Sequence, residues 1–276
     1  MRIKHLDRFE LKCILPRDVA DSIAKDLSAY LRPDAHSDSA GQYAITSLYY
    51  DTVDYRAYWD KIQGHRLRRK VRLRVYGNRA VTAETYCYVE IKQRLNKSLQ
   101  KRRVFIPYAS AVALCGSGQV VAPEQSAGQL AVSADWNVPA AKSSQGGTSP
   151  QGEGGKQAVI EEVHYLARSL DLRPACVVSY DRLAFEGGEY DPGLRVTFDT
   201  NLKGRTHALT LLTDQQAESH FVLPPHWCIM EIKINDRIPY WLVEFLNHYR
   251  CTLQKVSKYC LALEALLGLL QNQRIY

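Results

Sequence analysis

Three times in this chain a glutamate, a branched aliphatic residue and a lysine follow one another: Glu10-Leu11-Lys12, Glu90-Ile91-Lys92 and Glu231-Ile232-Lys233. Each triplet sits in a stretch of period-two hydrophobicity. On a β-strand that period sends the glutamate and lysine to one face and the aliphatic residue to the other. The same division sets Arg8, Glu10 and Lys12 against Phe9, Leu11 and Cys13, and Lys70, Arg72 and Arg74 against Val71, Leu73 and Val75. It holds again for Arg195, Thr197 and Asp199 against Leu194, Val196 and Phe198. From Lys61 to Arg74 there are seven Lys or Arg residues and no acid.

Two arrangements accommodate such faces. An open antiparallel sheet would leave them in water as cross-strand ion pairs. A sheet closed into a barrel would turn them into a lumen, with the aliphatic residues outside under amphipathic helices. In a lumen, Arg72 and Arg74 share one face with no acid between them on their strand. Crowded cations of that kind repel unless an anion lies among them. Arginine forks match phosphate oxygens and lysines act as point charges, so a chain of phosphates is the natural ligand. Carboxylates beside phosphates then require a hard divalent cation between them, which makes Glu10, Glu90 and Glu231 candidate ligands for Mg²⁺ or Mn²⁺.

Positioning those residues falls to strands expected at 5–13, 43–50, 69–76, 85–93, 102–107, 175–184, 194–200, 207–213 and 228–234. Helical periodicity is confined to 17–31 after Pro16, 160–170, 240–249 after Pro239, and 253–270. Half of the 16 glycines lie between Gly116 and Gly155 among Ser, Gln and Ala, and 116–155 reads as a low-complexity insertion. The expected fold is β-dominated α+β: one domain over 1–276, a closed antiparallel β-barrel of about eight strands with peripheral helices.

The composition excludes several classes of function. A chain of 276 residues with 46% hydrophobic and 24% charged content is neither disordered nor fibrous. Its longest apolar run, Leu261–Leu270, is broken by Glu264 and Gly268 and is too short for a membrane span. The first residues lack the apolar stretch of a signal peptide, so export is not expected. Seven cysteines, none spaced C-x-x-C, argue against a disulfide framework or zinc knuckle and fit a reducing cytoplasm. There is no G-x-x-x-x-G-K-[ST] loop, no H-E-x-x-H and no G-x-S-x-G elbow. The net charge of +7 and the aromatics near the basic run (Tyr58, Trp59, Tyr76) leave nucleic acid as a lesser possibility. The 17 tyrosines read mainly as packing and rim residues.

The segments Arg8-Phe9-Glu10-Leu11-Lys12, Ser47-Leu48-Tyr49-Tyr50-Asp51-Thr52, Lys70-Val71-Arg72-Leu73-Arg74-Val75-Tyr76, Val89-Glu90-Ile91-Lys92 and Ser98-Leu99-Gln100-Lys101-Arg102-Arg103 follow in a recognisable order. So do Tyr180-Asp181-Arg182-Leu183-Ala184-Phe185, Arg195-Val196-Thr197-Phe198-Asp199, Met230-Glu231-Ile232-Lys233 and Ser257-Lys258-Tyr259. Together they resemble the catalytic domain of the vacuolar transporter chaperone complex (VTC), the polyphosphate polymerase branch of the CYTH-like triphosphate tunnel metalloenzymes. The resemblance implies a β-barrel whose tunnel holds a nucleoside triphosphate by its phosphates, together with a divalent cation. It implies Lys12, Arg72, Arg74, Arg182, Arg195 and Lys258 at the reacting phosphates. Lys92, Lys101, Arg103, Lys233, Lys255 and Ser257 would bind substrate, with Glu231 as the principal metal ligand beside Glu10 and Glu90.

One departure discriminates within the superfamily. Its hydrolytic branch typically opens with Glu-x-Glu-x-Lys, whereas Arg8 stands where the first glutamate would be. The missing carboxylate favours transfer to a phosphate chain over attack by a metal-activated water. The expected activity is therefore transfer of the terminal phosphoryl of a nucleoside triphosphate, with ATP the expected donor, to growing polyphosphate. A tunnel triphosphatase is the alternative enzyme, and a polyphosphate- or nucleic-acid-binding module without turnover the alternative class. No protein partner follows from the sequence.

Overall fold

One curled antiparallel sheet, met by the N-terminus of one helix, positions the candidate residues that the structure, a computed structural model, brings together. It describes residues 8–34, 41–96, 98–116, 153–189, 191–235 and 237–269. The main strands are β1 (Arg8–Pro16), β3 (Gln42–Asp51), β4 (Leu67–Tyr76), β5 (Tyr86–Leu95), β6 (Ser98–Pro107), β7 (Arg173–Glu186), β8 (Arg195–Arg205) and β10 (Trp227–Asn235). Short strands β2 (Arg32–Pro33) and β9 (His220–Phe221) add to β7 and β8. The order is β1-β10-β8-β7-β3-β4-β5-β6, so the expected eight strands are present and carry the expected alternation.

The expected closure is not. β1 and β6 end the path without pairing, and the sheet is a curled half-barrel. It curls far enough for Lys92 on β5 to reach Glu10 on β1 at 3.3 Å, although five strands separate the two along the sheet. What meets the outer edge of β1 is the segment 251–257, whose Gln254 N–H donates to the Lys12 carbonyl at 2.8 Å. That carbonyl is thereby satisfied without a closing strand.

Six helices are described: α1 (Arg17–Leu27), α2 (Arg56–Ile62), α3 (Tyr108–Gly116), α4 (Glu153–Ser169), α5 (Tyr240–His248) and α6 (Lys258–Leu267). Pro16 and Pro239 occupy the N-cap positions of α1 and α5, where a missing N–H costs nothing. α3 and α4 cover the convex face of β4, β5 and β6, packing Leu114, Val163 and Leu166 against Leu73, Val89 and Ile91. α1 and α5 cover β8 and β10, with Ile23, Leu27 and Leu242 against Val196, Phe198 and Ile232. α6 lies on the concave side, where Tyr259, Cys260 and Leu263 pack on Ile45, Tyr49, Val178 and Tyr180. None of the described helices is long and apolar enough to cross a membrane.

Several local expectations change. Residues 207–213 form no strand: the Arg205 guanidinium takes the Ala208 and Thr210 carbonyls at 3.1 and 2.6 Å, and Ala208 has φ 44°. The helix expected over 253–270 begins only at Lys258, after the stretch that meets β1. α2 and α3 replace what read as connections, and α4 starts at Glu153, inside the glycine-rich stretch. The rest of that insertion, 117–152, lies outside the described residues, as do 1–7.

Candidate functional site

Glu231 on β10 is the hub of the concave face. Its Oε1 accepts from Lys12 Nζ at 3.0 Å and from Lys258 Nζ at 2.7 Å. Its Oε2 has Arg182 at 3.7 Å and Lys233 at 3.9 Å. Lys258, the first residue of α6, also pairs with Asp199 at 2.5 Å, and Arg182 grips both Asp199 oxygens at 2.6 and 2.7 Å. The helix thus delivers its lysine into the sheet. Its cap, Ser257, accepts from the Cys260 N–H at 3.4 Å and from Lys70 Nζ at 3.2 Å.

A second hub lies on β5. Glu90 Oε2 accepts from Arg72 Nε at 2.8 Å and has Arg74 at 3.8 Å, while Oε1 pairs with Lys101. Arg72 and Arg74 are therefore not the acid-free pair that their strand suggests: in-register β5 supplies Glu90 opposite Arg72. Arg72 also donates to the Tyr49 hydroxyl at 2.9 Å, and Arg74 donates to Ser47 Oγ at 3.1 Å and Tyr180 OH at 3.3 Å. Glu10 extends the Glu231 cluster from β1 to β5, pairing with Lys12 and Lys92, each at 3.3 Å.

The two clusters meet through Tyr180, whose hydroxyl accepts from Arg74 and whose ring lies beneath Arg182 and Lys258. Together this charged network holds eight cations (Lys12, Arg72, Arg74, Lys92, Lys101, Arg182, Lys233, Lys258) and four carboxylates (Glu10, Glu90, Asp199, Glu231). Titration reflects the surplus. Burial alone would raise Glu231 and Glu90, yet the cations around each hold both well below the usual carboxylate range. Glu10 is held at about 2 against its own burial by Lys92 and Lys12. Lys258 and Lys12 are raised despite burial by their acids. Lys233 is the reverse: burial outweighs Glu231 and lowers it to about 7. Burial also lowers Lys92 and Lys101, whose side chains are more exposed than that of Lys233.

Arg195 stands apart from this network. It pairs with Asp34 at 2.5 Å and with Glu186, and donates to Tyr43 OH at 3.1 Å, so two carboxylates already neutralise it. Arg103 lies over the Tyr88 ring at 4.6 Å, beside the Glu90 hub. Lys255 is exposed on the segment before α6 and takes part in none of these contacts. Asp199, Lys70 and the hydroxyls of Tyr49 and Tyr180 belong to the concave face but were absent from the candidate set. Asp199 shares its alternation with Arg195 and Thr197, the one signal that could have found it. The tyrosines carry no charge to mark them.

No group of three or more His, Cys, Asp or Glu side chains converges among the described residues, so they form no resident metal cage. A cation carried in on a polyphosphate needs less, because Mg²⁺ keeps its waters and takes one or two carboxylates beside phosphate oxygens. Glu231 Oε2, with its nearest cations at 3.7 and 3.9 Å, is available for that. The Thr197 Oγ of the neighbouring strand is buried without a partner and lies opposite Glu231 in register. Both Glu90 oxygens, by contrast, are engaged by cations, and so are both Glu10 oxygens. Those two glutamates act as counter-ions in this arrangement.

The VTC domain profile matches residues 7–267, nearly the whole chain. The chain belongs to the VTC domain family. The match spans both hubs and α6. No curated protein matches the sequence. Among solved structures, a Hippeastrum protein described as an adenylyl cyclase with dominant triphosphatase activity is similar at TM-score 0.47 and 13% identity, over 93% of this chain and 95% of that one. A Bacillus halodurans protein described as an adenylate cyclase gives 0.43 and 12%, over 91% and 95%. A Pyrococcus horikoshii protein gives 0.43 and 11%, over 93% and 98%. At these values none of the three speaks to what this VTC domain does.

Proposed function

We propose that this VTC domain is a metal-dependent polyphosphate polymerase. It takes the terminal phosphoryl of a nucleoside triphosphate, ATP the expected donor, and adds it to a growing phosphate chain. The observation that carries the reading is the cation surplus of the concave face, eight against four, in a place where burial already pushes Lys233 down to about 7. Such a face is stabilised by a multivalent anion. Arg72, Arg74 and Arg182 offer forks to phosphate oxygens, and Lys12, Lys92, Lys101, Lys233 and Lys258 offer point charges.

Phosphoryl transfer asks for alignment and charge neutralisation more than for covalent chemistry. The strands fix that alignment, because the cations sit at set register positions around a curled sheet. A divalent cation bound between Glu231 and the phosphates would neutralise charge as it develops. Transfer is favoured over hydrolysis because Arg8 occupies the position of the first glutamate in the hydrolytic signature. The test is incubation with ATP and Mn²⁺, read for both long-chain polyphosphate and free phosphate. Polymer supports the reading, free phosphate alone replaces it with a triphosphatase, and neither product leaves a binding module.

A further inference from the structure

The concave face does not end in charge. Toward one mouth its side chains turn aromatic, and the rings form a continuous run across four neighbouring strands. Tyr43 lies 6.1 Å from Tyr76, Tyr76 lies 5.9 Å from Tyr88 in an edge contact, and Phe105 lies 4.6 Å from Tyr88 and 5.2 Å from Tyr86. By alternation all five share the face of the cations, since Tyr86 and Tyr88 are in phase with Glu90 and Lys92, and Phe105 is in phase with Arg103 and Lys101.

Cross-strand packing accounts for Tyr76 and Tyr43, which are half-buried and, for Tyr43, bonded to Asp34 and Arg195. It does not account for the end of the run. Phe105, on the last strand of an open sheet, is 46% exposed, and Tyr86, on the strand beside it, is 42% exposed. The opposite face of the same strands is closed, with Val104 and Cys87 buried in the core beneath α3 and α4. Two large rings standing in water at the rim of a cation-lined groove point to a ligand with both an anionic and a flat apolar part.

We propose that Phe105 and Tyr86 form a stacking platform for the base of a nucleoside triphosphate whose phosphates lie on the cations. The inference rests on the triphosphate reading above and adds which end of the groove takes the nucleoside. Register gives the fit. Phe105 pairs with Tyr88, which pairs with Arg74, and Arg103 precedes Phe105 by one pleat, roughly 7 Å along the strand and about the reach of a ribose. Base-on-aromatic stacking tolerates any base because every base has a π-face, so the platform would select nucleotides over inorganic phosphates without choosing sharply among nucleotides.

The test is the ratio of affinities for Mg²⁺–ATP and Mg²⁺–inorganic triphosphate, measured by calorimetry on the full chain. In Phe105→Ala the ATP affinity should fall about 5- to 10-fold relative to that for inorganic triphosphate. Tyr86→Ala should move the ratio the same way, and Phe105→Trp should keep it near wild type. A parallel loss for both ligands would make the rings merely structural and overturn the inference while leaving the triphosphate reading intact. So would an unchanged ratio in both alanine variants. Failure of the wild type to bind either ligand would overturn both.

Discussion

Glu231 and Lys233, two residues apart on one strand face, place opposite demands on the site. Glu231 compensates four cations, so Glu231→Gln removes the charge that Lys12, Lys258, Arg182 and Lys233 share. Breaking a buried network at one member leaves uncompensated charge, typically worth about 3–5 kcal/mol. The variant should therefore unfold at lower denaturant than wild type, regain part of that loss in saturating inorganic triphosphate, and make no polymer. Wild-type turnover by Glu231→Gln would remove it from the site. Lys233 sets a pH dependence. Its folded pKa of about 7 lies below the ordinary lysine value, so between about pH 7 and 10 the unfolded chain binds the extra proton and folding stability from this group rises with pH. Anion binding runs the other way, because bound phosphate favours the charged form. Triphosphate affinity should weaken from pH 6.5 to 8.5 in wild type and flatten in Lys233→Arg, which stays charged throughout. An identical pH profile in the two proteins would exclude Lys233 as the titrating group.

The first turn of α6 is held in the site by a carboxylate that is not itself a member of the charged network. Asp51, at the end of β3 and 1% exposed, accepts from the N–H groups of Thr52, Ala57 and Tyr58 at 2.8, 2.9 and 3.2 Å and from the Tyr259 hydroxyl. It thereby holds the start of α2 and the first turn of α6, next to Lys258. Asp51→Ala strips a helix start of its acceptor and leaves a buried hydroxyl without one, an expected loss of about 2–4 kcal/mol in equilibrium unfolding. Tyr259→Phe removes only the hydroxyl and should cost about 1 kcal/mol. Equal costs would show that Asp51 acts on α6 alone. None of this was legible in the sequence, where Asp51 is one acid in a strand motif. The alternation of the strands was legible, because period two is local, and with it the shared face of Lys12, Arg72, Lys92 and Lys233. The partners were not. Glu90 between Arg72, Arg74 and Lys101, and Asp34 beside Arg195, come from strand order and register, which the pattern along one strand does not contain. Closure is absent from that pattern for the same reason: eight alternating strands fit a barrel or a half-barrel, and Gln254 on the edge of β1 is a long-range contact. The strand expected at 207–213 was lost to a side chain, Arg205, that competes for the carbonyls.

At the scale of the molecule, the concave face and the 117–152 segment answer to different tests. That segment joins α3 to α4, which pack together over the convex core through Leu114, Val159 and Val163, away from both hubs. Replacing 117–152 with a short Gly/Ser linker should leave the melting temperature and triphosphate binding close to wild type, and an insoluble product would show that the segment completes the fold. The concave face couples the whole fold to its ligand. An anion that binds only the folded chain at 100 times its dissociation constant adds about 2.7 kcal/mol. At roughly 2–4 °C per kcal/mol for a chain of this size, inorganic triphosphate should raise the melting temperature by about 5–10 °C. Because the attraction is electrostatic, the shift at fixed ligand should shrink when NaCl is raised from 0.1 to 0.5 M. Arg74→Ala sharpens the test. Arg74 is 6% exposed, bonded to Ser47 and Tyr180 and close to Glu90, so its loss should lower the melting temperature of the free protein as well as the ligand shift. Repulsion between Arg72 and Arg74 alone would predict a free variant no less stable than wild type. A lowered melting temperature with most of the ligand shift gone marks Arg74 as held by the protein and used by the anion. A full shift in Arg74→Ala would mean that the phosphates bind elsewhere than the concave face.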